Sequence, residues 1–196
     1  MITISLFWFS VAMSIAIFEI ELEGKHGWAE KSATWSRRFI PPKAFRLFSG
    51  ARVLTGYHLF LNIFLLLFMH SPFFFGVEFS VIAELNLLAI YLVWTIFWDF
   101  LWFILNPYYG WDKFSPKAVW WFGEEPWLMN KLPVKYFIQL GVSLSLVIIS
   151  VYLGAGKDLL KNHLVFILLF IFFTILAHLL IRPLFHKYYR ALHKSN

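Results

Sequence analysis

Glu19, His58, Asp99 and His178 are chemically out of place in this sequence, because each stands inside a long apolar run. An ionisable side chain in hydrocarbon is costly and usually faces a bundle interior, so each is a candidate for a functional role. Thr55-Gly56-Tyr57 precedes His58, and Asn62 follows one turn on. Asn106 lies seven residues beyond Asp99, and Thr174 and Arg182 stand four residues to either side of His178.

Three chemistries fit this set. As metal ligands, Glu19, His58, Asp99 and His178 offer the carboxylates and imidazoles that suit zinc, iron or manganese, drawn from several helices. Glu23 and His26 add a Glu-x-x-His spacing, although Gly24 and Gly27 argue that the helix has already ended. As catalytic groups, Asp99, His58 and His178 could act as acid and base on a lipid or other apolar substrate without a metal. Arg182, with Arg37 and Arg38, would then hold a phosphate or carboxylate headgroup. In the third chemistry, His58, Asp99 and His178 only hydrogen-bond between helices, at about 0.6 kcal/mol each. Proton conduction would need polar groups through the whole bilayer. The outer half offers only Glu84, Asn86 and His70, with His70 and His163 expected at the interface.

Five apolar runs must position these residues, at about 1–22, 53–75, 81–106, 134–153 and 164–185. Each is near the roughly 20 residues that cross about 30 Å of hydrocarbon. The first lacks basic residues ahead of it and a small-residue cleavage site, so it reads as a retained helix. Composition agrees: 60% of the 196 residues are hydrophobic and 14% charged, which excludes an ordinary water-soluble domain. With 24 Phe, 10 Trp and 8 Tyr, disorder is excluded too. The absence of Cys removes disulfides, thiolate nucleophiles and Cys-ligated metals.

Lys and Arg number seven in 23–52, none in 71–80, four in 107–135, two in 154–163 and four from Arg182 onward. Fifteen thus fall on one side of a five-span topology and two on the other. The positive-inside rule then places the N-terminus outside and the C-terminus in the cytoplasm. The net charge of +6 reads as this asymmetry and not as nucleic-acid binding. At about 1.5 Å per residue, His58, Asp99 and His178 all lie roughly 10 Å inside the cytoplasmic boundary, with Glu19 somewhat shallower.

The connections 23–52 and 107–133 are basic and aromatic. Lys43, Phe45, Arg46 and Phe48 suggest a short interfacial segment. In 107–133, Tyr108, Tyr109, Trp111, Phe114, Trp120, Trp121, Phe122 and Trp127 suit a headgroup belt or a lid over a cytoplasmic mouth. The His boxes of membrane desaturases and the nucleophile elbow of hydrolases are absent from the sequence.

These readings converge on an all-α polytopic membrane bundle, with residues 1–196 forming a single membrane domain. It would be a multi-pass protein of the cytoplasmic or inner membrane. Its expected function is a cytoplasm-facing intramembrane polar site that binds or acts on a lipid-like or apolar molecule. The alternative is a non-enzymatic subunit or scaffold that packs against a larger complex, a membrane protein partner or specific lipids.

Overall fold

A computed structural model describes residues 1–37, 53–111, 113–122 and 125–193. Among the described residues, five helices are long and apolar enough to cross a membrane. In chain order these are α1 (Ile2–Glu23), α2 (Gly56–Phe74), α3 (Val81–Leu105), α4 (Val134–Tyr152) and a continuous helical run Asp158–Leu192. The last run comprises α5 (Asp158–Leu176), a π-helical turn (Ala177–Ile181) and α6 (Arg182–Leu192). Two short antiparallel ladders accompany them: β1 (Ser36–Arg37) with β2 (Leu54–Thr55), and β3 (Trp127–Leu128) with β4 (Leu132–Pro133).

The first four helices agree with the expected spans to within a few residues. The fifth does not, because its 35 residues overrun the expected 164–185 at both ends. Hydropathy marks only its apolar middle. The polar turn Asp158–His163 is also helical, and Asp158 there suits the positive end of the helix dipole. At the other end Arg190 lies in the last turn, where a cation is favourable. Arg38 and the 43–48 segment lie outside the described residues.

The chain forms two compact units. The first comprises Met1–Ser32, Trp94–Ser115 and Leu164–Asn196. Here Phe170 meets Phe9, Phe97 and Phe166 at centroid separations of 5.6, 5.3 and 4.4 Å. Ala12 and Ala16, both fully buried, present small side chains on α1, the residue type that permits close helix approach in membranes. α1 stops at Glu23 because Gly24 takes φ 56°, a left-handed conformation open to glycine. The turn that follows folds back, and Ala29 N–H donates to Glu23 Oε1 at 2.6 Å. Glu23 and His26 therefore do not share a helical face.

The second unit comprises Ala33–Val93 and Pro116–His163. Thr55 caps α2, accepting from His58 N–H at 3.1 Å. A Cβ at Gly56 would collide with the Trp35 indole, so only glycine lets that ring lie against the start of α2. Ser143 donates to Ala89 O at 2.8 Å and lies 2.9 Å from His163 Nε2. His163, expected at the interface, is buried by this contact. Lys135, buried at the start of α4, lies 3.8 Å from Glu125 and 3.1 Å from the Phe122 ring centroid.

Candidate functional site

Apart from Arg38, each sequence-selected site residue has a definite place. Glu19, on α1, is buried and accepts a 2.7 Å hydrogen bond from Trp98 Nε1 on α3. Asp99, half-buried one residue further, stands close enough to Glu23 for the two charges to repel. His58 belongs to the second unit, where its Nδ1 lies 2.7 Å from Thr55 Oγ1 and its carbonyl accepts from Asn62. Arg37, exposed in β1, lies 5.9 Å from the Trp35 ring centroid. Arg38 lies outside the described residues.

Among the described residues, no group of three or more His, Asp or Glu side chains could hold a metal ion. The expected set Glu19, His58, Asp99 and His178 therefore gains no support as a zinc, iron or manganese centre. His58 stands apart from Glu19, Asp99 and His178 in belonging to the other unit.

The first unit does bring His178 and Arg182 together. A cavity of about 220 Å³ is lined by Phe100, Phe103 and Ile104 of α3, Gly110, Trp111 and Phe114 of the following loop, and Thr174, Ile175, His178 and Arg182. Its walls are mainly aromatic. Phe103 and Phe114 pack at 4.6 Å between centroids, and Phe100 meets Phe114 at 5.5 Å. Thr174, His178 and Arg182, four residues apart on one helical run, supply its polar side chains.

Backbone geometry prepares that polar side. Pro183 has no N–H and its ring crowds the preceding turn, which widens the helix just before it. Arg182 N–H accordingly bonds to Ala177 O, five residues back. The carbonyl of His178 receives neither that N–H nor one from Pro183. Thr174 spends its hydroxyl proton on Phe170 O at 2.7 Å. Arg182 Nε is shielded from solvent with no hydrogen-bond partner among the described residues. His178, Trp111 and Ile175 are exposed on the cavity's rim.

The neighbouring loop is tied down. Asn106 donates to Gly24 O at 2.8 Å and accepts from Tyr108 N–H, and His186 Nε2 donates to Leu105 O at 2.9 Å. The latter contact satisfies a carbonyl that the end of α3 would otherwise leave open. Tyr109 O–H donates to Lys25 O at 3.3 Å. Burial, with the Glu23 and Glu30 carboxylates nearby, pushes the Tyr109 phenol above its usual range. Part of the aromatic connection thus forms the cavity wall, while Trp120, Trp121, Phe122 and Trp127 belong to the second unit.

Sequence reasoning found the Thr174–His178–Arg182 series by its spacing. It named Phe114 only as one of the belt or lid aromatics, and it missed Phe100 and Phe103, two of 24 Phe with no distinguishing signal. It also missed Trp98 as the partner of Glu19. Comparison with known proteins finds nothing similar: no family model matches, and neither a curated protein nor a solved structure gives a significant match.

Proposed function

We propose that this multi-pass membrane protein binds a lipid-like or apolar molecule in the aromatic cavity of its first unit. The N-terminus lies outside and the C-terminus in the cytoplasm, so the cavity opens toward the inner leaflet. The observation that carries this reading is the cavity itself: apolar walls on most sides, with a few polar groups along one helical side, the usual make-up of a ligand site. Its exposed rim residues give a molecule already dissolved in the bilayer a lateral way in. Any proton transfer on that molecule would fall to His178, the imidazole on the wall.

The test is photolabelling of the purified full-length protein with an aliphatic diazirine, followed by peptide mapping. Labels concentrated in 100–114 and 174–182, and lost in Phe103→Trp, support the reading. Uniform labelling of all lipid-facing helices removes it.

One observation favours a second reading. Leu180, Leu184, Tyr188 and Leu192 are all exposed at four-residue spacing, a stripe that a larger complex could cover. A scaffold of that kind would keep full cellular activity in Phe103→Trp and lose it in Leu184→Glu.

A further inference from the structure

The geometry points to an acidic ligand: one hydrocarbon chain ending in a carboxylate or phosphate, its chain along the aromatic wall and its head on Arg182. This inference rests on the cavity-binding reading above and specifies the class of molecule.

The first argument is an unmet donor on a charged group. A guanidinium stays protonated throughout the working pH range. The Nε of Arg182 is shut away from solvent with no acceptor among the described residues. A shielded donor left without an acceptor costs about 1–3 kcal/mol, and more when the group is charged. A ligand oxyanion would satisfy it, and the planar fork of a guanidinium matches the two oxygens of a carboxylate or phosphate.

The second argument is the local field. None of the cavity-lining residues among those described is acidic. Along the same helical run, His186 and Arg190 follow Arg182 at four-residue spacing, and Arg182 and Arg190 both lie close enough to act on the His186 charge. His186 is already committed to Leu105 O. Glu21, the carboxylate near the end of α6, faces His193 at 3.5 Å. Among the described lining residues Arg182 thus carries a positive charge with no carboxylate beside it, which a neutral alcohol or sterol hydroxyl would leave unbalanced.

The third argument is size. A cavity of about 220 Å³ falls below the range of about 300–1,000 Å³ typical of drug-sized ligands. It suits part of a single chain better than a fused ring system or a two-chain lipid.

The experiment uses the full chain in detergent micelles at pH 8, with tryptophan fluorescence quenched by dibrominated stearate, dibrominated stearyl alcohol or a dibrominated lysophosphatidate. The quenching lost in Trp111→Phe is the part that reports the cavity. The expected result is half-saturation by either acid at a concentration at least ~10-fold below that for the alcohol, a difference of about 1.4 kcal/mol. Arg182→Gln should bring acid and alcohol to within ~2-fold, whereas Arg182→Lys, which keeps the charge, should retain part of the preference. Lys187→Gln, on an exposed neighbour, should leave the preference intact.

Equal saturation by acid and alcohol, with the Trp111 signal present, would overturn the acidic-ligand inference and leave cavity binding standing. A preference that survives Arg182→Gln would also overturn it. No Trp111-dependent quenching by any probe would sink the cavity-binding reading itself. Displacement of stearate by millimolar inorganic phosphate would show that the head alone is the ligand and would overturn the role of the chain. Preference for the carboxylate or the phosphate probe decides between the two acid sources.

Discussion

Glu19 stands where a metal ligand was expected, yet its Oε2 is occupied by the Trp98 indole N–H at 2.7 Å. An amide at position 19 can still accept from that N–H, but an alkyl side chain cannot. Glu19→Gln should therefore leave the thermal unfolding midpoint in detergent nearly unchanged. Glu19→Leu should cost about 1–3 kcal/mol by stranding the buried indole donor. If Glu19→Gln alone abolished function in a stably folded protein, the carboxylate would have a chemical task beyond this bond. Tyr109 gives a second prediction, in pH. Its phenol holds its proton more tightly in the folded chain than in the unfolded one, first through burial and then through Glu23 and Glu30. Its contribution to stability is complete below the ordinary phenol pKa of about 10 and is lost as pH rises through the higher folded value. Unfolding midpoints measured from pH 9 to pH 11 should fall less steeply in Tyr109→Phe than in the parent protein. An identical slope would show that the Tyr109 phenol binds its proton equally well in the folded and unfolded chain.

Among the elements, the π-helical turn Ala177–Ile181 matters most, because it contains His178 and runs directly into Arg182, two of the three polar residues that line the cavity. Its cause is local. Pro183 cannot donate to the turn behind it, so the helix takes up an extra residue there. Pro183→Ala restores a donor and should let this turn tighten toward a regular α-helix, shifting His178 relative to Arg182. The expected outcome is a protein of equal or higher thermal stability that retains the stearate probe at least ~3-fold more weakly, since removing Pro favours the helix. Unchanged retention with raised stability would mean that the turn has no part in the site. The same element shows how far the sequence could be read. The Thr174–His178–Arg182 series follows from spacing alone, and long apolar stretches give α1 to α4 within a few residues. Helix rotation is not encoded in hydropathy, so nothing in the chain announces that Glu19 meets Trp98 or that Phe103 faces Phe114. His163 was misplaced for a related reason: its position near a span end suggested water, whereas Ser143 of α4 receives it.

At the scale of the whole molecule, the sidedness of the membrane decides what the cavity can meet. Fifteen of the seventeen Lys and Arg fall in connections that a five-span chain places on one side. On the proposed orientation, in which such connections remain cytoplasmic, Arg182 and the α6 extension would lie at the inner face. The 35-residue run Asp158–Leu192 spans about 52 Å at 1.5 Å per residue, well beyond about 30 Å of hydrocarbon. At least one end of the run must therefore leave the bilayer core, and Lys187 and Arg190 in α6 suit the headgroups. Because the sequence contains no Cys, single-cysteine variants report sidedness without background. Lys157→Cys, in the exposed turn between α4 and α5, and Glu78→Cys, between α2 and α3, should react with a membrane-impermeant maleimide in intact cells. Lys25→Cys, Lys117→Cys and Lys187→Cys should react only after lysis. The reverse pattern would turn the molecule over and place the Arg182 end of the cavity at the outer leaflet, so that its ligand would come from outside the cell. Mixed labelling at a single position would indicate that both orientations are inserted, because a charge bias this uneven should select one.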